Sequence, residues 1–184
     1  MKRLIITVIL TAFGASGLFA NGDGEDGAFA VPVVDGYESE IVKDIPYHLQ
    51  WQVDGDTLKL HIAAPTTGWL AVGFEPTRKM KDANILIGYV SGGTATLRDD
   101  FGIAQVKHGP DTENGGSSDF SNLEGREEDG VTVLSFSIPL NSGDALDKNL
   151  TPGSKVKVIM SYGPDGKDDF GTIHAKRGST EIKL

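Results

Sequence analysis

The residues best suited to hold a metal in this chain are few and widely spaced. Beyond the initiator the methionines are Met80 and Met160, and the histidines are His48, His61, His108 and His174. A thioether is a soft ligand and an imidazole a borderline one, so the two types together suit iron or copper. Position sorts them further. Met160 alternates in phase with Val156 and Val158 and reads as core. Met80 sits among Arg78, Lys79, Lys81 and Asp82, where a thioether is a poor choice for packing. His174 stands beside Lys176 and Arg177, just ahead of a closing strand. His48 and His61 lie on strands, out of phase with their apolar neighbours, and read as surface residues. His108 precedes Gly109-Pro110 in a long loop; it could line a pocket or replace His174, but a solvated loop position is the plainer reading.

Other chemistries are excluded by what is missing. There is no cysteine, hence no disulfide framework, no thiolate metal site, no cysteine nucleophile, no C-x-x-C-H attachment of a c-type haem and no blue-copper centre. No nucleophile motif, no paired carboxylates at a recognisable spacing and no dinucleotide fingerprint is present. The expectation is a protein that is not an enzyme. With 17 basic and 26 acidic residues the formal net charge is −9, which opposes nucleic-acid binding.

The chain begins as a secretory signal peptide does, which places residues 1–20 in that role. Lys2 and Arg3 precede an apolar run from Leu4 to Phe13, and small residues follow up to Ala20. The run is shorter than the roughly 20 residues that a membrane span needs, so no stable membrane insertion is expected after cleavage. Loss of Lys2 and Arg3 takes the 17 basic residues to 15 and the net charge from −9 to −11. An exported protein without cysteine suits a periplasmic or secreted location. Residues 21–36 start with NGDGEDG and read as a flexible acidic linker. That stretch lacks the spacing and closing glutamate of a calcium loop.

From residue 37 to 184 the chain reads as a succession of strands. Leu49, Trp51 and Val53 share a face, Asp54-Gly55 is a turn, and Leu58, Leu60 and Ile62 share the next face. WLAVGF (69–74) and NILIGYV (84–90) are buried-strand candidates, and Gly92-Gly93 leads into an alternating run over 94–99. Residues 131–138 are apolar in two phases, which suggests a bulge near Val133. Residues 155–162 alternate, and 180–184 make a short closing strand. No segment has a convincing helical period, although 144–150 could form one turn. The longest stretch without strand signals runs from Phe101 to Asp129. Short strands separated by Gly, Pro, Asn and Asp argue for an all-β sandwich.

One segment carries a specific resemblance. GWLAVGFEPTRKMKDANILIGYVSGGTATLRDD (68–100) resembles the core signature of DOMON domains: a strand ending in glycine and an aromatic, a Pro-containing loop with a methionine, then a second strand with a glycine. DFGTIHAKRGSTEIKL (169–184) is similar to the family's closing segment, and the likeness extends over 47–184. It implies an immunoglobulin-like antiparallel β-sandwich. In the haem-binding members a loop methionine and a histidine near the last strand hold the iron, and on this sequence those are Met80 and His174. The implied cofactor is a non-covalent haem b. Its implied role is electron transfer to a redox partner, either a membrane cytochrome or a periplasmic oxidoreductase. Histidine–methionine ligation leaves no open coordination position and raises the reduction potential.

Further residues are expected around such a group. Trp69, Phe74, Ile85, Ile87, Tyr89 and Phe101 are candidates for the apolar walls. Arg78, Lys81, Lys176 and Arg177, with Lys79, are candidates for pairing with the propionates. Two other readings stay open at this stage: a carbohydrate-binding β-sandwich without haem, and a copper carrier using Met80, His108 and His174.

Overall fold

The structure, a computed structural model, describes residues 31–42 and 44–184. The signal peptide and the NGDGEDG part of the linker lie outside the described residues. Eleven strands are present: β1 (Glu38–Val42), β2 (Tyr47–Asp54), β3 (Thr57–Ala64), β4 (Leu70–Phe74), β5 (Asn84–Ser91), β6 (Thr94–Ala104), β7 (Lys107–Pro110), β8 (Ser121–Glu128), β9 (Val131–Pro139), β10 (Lys155–Tyr162) and β11 (Lys176–Lys183). They form two antiparallel sheets, ordered β1-β2-β3-β9-β8 and β11-β10-β4-β5-β6-β7. The fold is the all-β sandwich that the sequence suggested.

Period-two patterning builds the core between the sheets. Leu49 and Trp51 of β2 and Leu58, Leu60 and Ile62 of β3 meet Leu70, Val72 and Phe74 of β4. Phe136 and Ile138 of β9 and Val156, Val158 and Met160 of β10 complete it. Tyr47 is wholly buried, and its hydroxyl donates to the Ala71 carbonyl at 3.0 Å, tying one sheet to the other. The Trp51 indole N–H donates to the Lys183 carbonyl, also at 3.0 Å, so Trp51 is core and not a sugar platform.

Several sequence expectations are corrected. The two phases of residues 131–138 need no bulge at Val133: the β3–β9 register runs unbroken from Thr57↔Pro139 to Ala64↔Thr132. Both faces of β9 are simply covered. Leu134, Phe136 and Ile138 face the other sheet, while Val133 packs outward with Ala63 and Val31. The cover is the chain at 31–36, which was expected to be linker. Gln50 clamps it, accepting from the Val34 N–H at 2.7 Å and donating to the Pro32 carbonyl at 3.1 Å. The histidines expected at the surface are also covered. His48 is buried and bonded to Ser39, and His61 is half-buried and bonded to Ser135. Residues 144–150 form no helical turn; the one 3₁₀ turn among the described residues is Asp111–Glu113. The stretch 101–129 is largely strand, holding the end of β6 and all of β7 and β8.

Candidate functional site

The outer face of the six-stranded sheet departs from ordinary sandwich chemistry. An antiparallel sheet usually shows water a polar face. Here β5 is buried on both sides: Leu86 and Val90 enter the core, while Ile85 and Ile87 join Trp69, Ala71 and Ala83 in a second apolar cluster on the outside. Met80, Tyr89, Ile159 and Phe170 pack against that cluster. A cleft of about 780 Å³ lies over it, within the size range of small-molecule and cofactor sites. Its floor is Ala71 and Gly73 of β4, Ile85 and Ile87 of β5 and Ile159 of β10. Gly73 keeps that floor tight, since a β-carbon there would stand 2.9 Å from the Ile159 side chain and 3.1 Å from Ile85.

Three segments make the walls. The first is the β4–β5 loop, which carries Met80 and Lys79. It is a hydrogen-bonded turn: Thr77 N–H donates to Lys81 O at 2.9 Å, Lys81 N–H to Arg78 O at 3.0 Å and Ala83 N–H to Met80 O at 3.2 Å. The Thr77 hydroxyl caps it by donating to Asp82 at 2.6 Å, and that bond, more than any other influence, holds the Asp82 carboxyl below its ordinary range. Glu75, Lys79 and Asp82 all have positive φ (50°, 55° and 62°). Such backbone persists in non-glycine residues only where surrounding contacts enforce it, and it concentrates at ligand sites. The loop is anchored to β6 through Gly102, which accepts from Asp82 N–H at 2.7 Å and donates to Ala83 O at 2.9 Å.

The second wall is the segment between β10 and β11, with Phe170, Gly171, Thr172, Ile173 and His174. Asp169 shapes it as an Asx turn. Its carboxylate accepts from the Thr172 hydroxyl at 2.7 Å and from the N–H groups of Thr172 and Gly171 at 2.6 and 2.8 Å. The side-chain bond from Thr172 is the leading reason the Asp169 carboxyl lies below its ordinary range. Ala175 N–H then returns to the sheet at Tyr162 O, 2.8 Å away, leaving His174 on the cleft and Arg177 of β11 at its edge.

The third wall is the β6–β7 hairpin, with Gln105, Val106 and His108. Asp100 lies behind His108, fully buried. It accepts from His108 Nδ1 at 2.5 Å and from Arg98 Nε and Nη2 at 2.5 and 2.7 Å. Burial alone would raise the Asp100 carboxyl, but the bonds from His108 and Arg98 outweigh it and hold the group below its usual range. The Arg98 guanidinium stands 4.3 Å from the Phe170 ring centroid, and Phe170 meets Tyr89 at 5.2 Å. A buried anion thus braces one wall against another.

The structure therefore brings Met80, His174, Trp69, Ile85, Ile87 and Arg177 of the expected residues to one cleft. The others lie elsewhere. Phe74 points to the opposite side of β4 and is fully buried between the sheets. Tyr89 stands one layer back, behind Phe170. Phe101 pairs with Asn84 and lies off the cleft. Arg78 and Lys81 bridge each other across the loop turn, and Lys81 pairs with Asp82 at 3.4 Å. Lys176 is exposed where β11 starts. Lys79 is the loop lysine that lines the cleft. Ile159, Phe170 and Ile173 were missed as wall residues. Ile159 left a signal, as the lone large apolar residue on the polar phase of β10.

The fold and site are those of a β-sandwich with an apolar cleft on one outer face, fringed by a thioether and imidazoles. Comparison with known proteins gives the family. The DOMON domain model matches residues 43–163, so the chain belongs to the DOMON family. It is 31% identical over 140 residues to DBH-like monooxygenase protein 1 of Mus musculus and 28% identical over 140 residues to that of Homo sapiens. Each match takes 75% of this chain and 22% of the relative, so the chain spans about a fifth of the length of these curated relatives. Two solved structures share the fold. The cytochrome b domain of pyranose dehydrogenase from Coprinopsis cinerea superposes with a TM-score of 0.60 at 11% identity, over 79% of this chain and 80% of that one. The cytochrome domain of Myriococcum thermophilum cellobiose dehydrogenase gives 0.52 at 7% identity, over 82% and 89%. Among the described residues no helix is long and apolar enough to cross a membrane.

Proposed function

We propose that the chain is an exported electron-transfer domain that binds one haem b in the outer cleft, with Met80 and His174 as axial ligands. The observation that carries the reading is the chemistry of the cleft rim. Of the large apolar side chains that are exposed among the described residues, Val106 (74%) and Ile173 (79%) are the most open, and both stand on this cleft. Apolar groups held out over an apolar floor fit a flat hydrophobic ligand that they would cover. Met80 and His174 come to the cleft from separate walls. Lys79 and Arg177 supply the positive charge that two propionates need.

When bound, the haem would supply a one-electron couple, with Met80 and His174 as the residues that would hold it. The protein's own residues hold the ligands still and exclude water. The turn around Met80 and the Asx turn of Asp169 do the first, while Trp69, Ile85, Ile87 and Ile159 do the second. The electron partner would be a separate redox protein, and no catalytic step is assigned to the chain itself. His108 has an observation in its favour as the imidazole ligand. Asp100 bonded to its Nδ1 is the kind of carboxylate partner that metal-bound histidines commonly have.

The test is the visible spectrum of haem-loaded protein before and after dithionite. The expected result is a sharpened, shifted Soret band with resolved α and β bands, lost in both Met80→Ala and His174→Ala. Loss in His108→Ala with a normal spectrum in His174→Ala would move the ligand to His108. A colourless protein that takes up no haemin would reject the reading, and glycan binding by that protein would favour a carbohydrate module.

A further inference from the structure

The outer face of the five-stranded sheet, opposite the cleft, holds two imidazoles that the cleft does not use. Residues along a strand alternate in facing. With Leu49 and Trp51 of β2 and Leu60 and Ile62 of β3 in the core, His48, Gln50, His61 and Ala63 face outward. His48 is only 1% exposed. Its Nε2 lies 2.9 Å from the Ser39 hydroxyl, and its Nδ1 is buried with no hydrogen-bond partner. A neutral ring tolerates that position. A protonated one would carry a charge and a second N–H donor with no water to receive them.

The chain at 31–36 lies beside this ring as a strap. Ala63 stands opposite His48 in the β2–β3 register, and Val31 packs on Ala63 and Val133. Val31 and Pro32 also meet Arg126 and Glu128 of β8. Beyond Val31 the strap is held by two side chains of β2. Gln50 accepts from the Val34 N–H at 2.7 Å and donates to the Pro32 carbonyl at 3.1 Å, and Gln52 donates to the Gly36 carbonyl at 3.0 Å. Among the described residues the strap makes no backbone hydrogen bond to a strand. Val33 points to water, 55% exposed. A segment held by three side-chain bonds and one buried valine opens at far lower cost than the sandwich unfolds.

The charged groups on this face leave the ring without a counter-ion. On β3, His61 is half-buried and 2.8 Å from the Ser135 hydroxyl, and Lys59 is paired with Asp54 of β2 at 2.6 Å. β8 presents Glu124, Arg126 and Glu128, the strap carries Asp35, and Asp44 follows β1; all five are exposed. β1 offers Ser39 and Ile41 here, while its Glu40 bonds to Thr180 of β11. Among the described residues no carboxylate is ion-paired with His48 or His61. We propose that the 31–36 strap is a proton-released latch: protonation of His48 lifts it from the five-stranded sheet while the sandwich stays folded. Burial is the main reason His48 lies below its ordinary 6.5, with the Val31 backbone pulling the other way. Opening returns water to the ring and restores its ordinary value, so opening takes up a proton. The closed strap is therefore favoured in full above about pH 6.5 and loses ground as pH falls, by at most about tenfold per pH unit for each histidine that opening hydrates. The latch works whatever the outer cleft holds.

The chain has no cysteine, so Val33→Cys gives a single labelling position on the strap. A nitroxide attached there, on the full chain, is followed by electron paramagnetic resonance from about pH 7.5 to about pH 4.5. Far-ultraviolet circular dichroism is recorded on the same samples. The expected result is a restrained label above about pH 6.5 that becomes mobile as pH falls, while the dichroism stays that of the folded sandwich. His48→Gln, which cannot take up the proton, should remove this pH dependence whatever its starting mobility. Gln50→Ala, which removes two of the three clamping bonds, should leave the label mobile already at the upper pH. A label that stays restrained throughout the range would overturn the proposal. So would mobility that rises only together with loss of the dichroism, since the whole fold would then be unfolding. An unchanged pH dependence in His48→Gln would also overturn it, because the exposed carboxylates would then be the trigger.

Discussion

Gly102 offers the sharpest test of how the cleft is built, because it touches no ligand. A β-carbon added there would fall 1.7 Å from the Met80 carbonyl oxygen, 2.8 Å from its carbonyl carbon and 3.0 Å from the Ala83 nitrogen. All three neighbours are backbone, so no side-chain rotation relieves the clash. An ordinary contact begins at 3.4 Å, and the Met80 turn would have to withdraw from β6 to reach it. Withdrawal breaks the bonds from Asp82 N–H to Gly102 O and from Gly102 N–H to Ala83 O. Two net hydrogen bonds at about 0.5–1.5 kcal/mol each, with an overpacking cost of about 1–3 kcal/mol, predict that Gly102→Ala destabilises by about 2–6 kcal/mol. Urea unfolding of the haem-free chain measures this, and haemin titration measures the second consequence. With Met80 displaced, the haem should bind more weakly or lose its low-spin methionine ligation, although both axial residues are unchanged. A variant with wild-type stability and a wild-type reduced spectrum would refute the idea that β6 positions Met80.

Two other substitutions follow from the hydrogen-bonding and burial described above. Asp169→Ala removes three acceptor contacts from the turn that carries His174; haemin affinity should fall while the urea midpoint changes little, and unchanged affinity would count against the turn as a positioning element. His61 is held neutral by burial first and by Arg126 and His48 second, which lowers it from 6.5 to about 4. The unfolded chain takes up that proton below about 6.5 and the folded chain does not until about 4, so the His61 contribution is complete above 6.5 and is lost as pH falls to 4. The loss is about 3 kcal/mol at most. His61→Gln should flatten the fall in stability between pH 6.5 and 4 relative to wild type, and parallel profiles would show that His61 does not carry it.

The sequence made the inner architecture readable because its signal is local. The Asp54-Gly55 hairpin pairs as its alternation implied, with Asp54 opposite Thr57, and Gly55 at φ 63° takes the left-handed turn position. The outer faces were harder. Alternation assigns His48 and His61 to water and makes the second apolar phase at Val133 a bulge, whereas this face of the sheet is covered, with Val31 packed against Val133. β8 reads SNLEGREE and lies at a sheet edge with little apolar content, so nothing in its pattern announces a strand. For the site, Met80 and His174 were found through family likeness, not through periodicity. Phe74 was misassigned because a strand next to a site sends only every second side chain toward it.

The facing of β6 has a mechanical consequence. Asp100 is a single buried carboxylate that receives bonds from His108 of the β6–β7 hairpin and from Arg98, whose guanidinium lies over Phe170 of another wall. Two walls of the cleft therefore share one anchor on β6. Displacing either wall strains the same ion cluster, so the two should move as one unit at the mouth of the cleft.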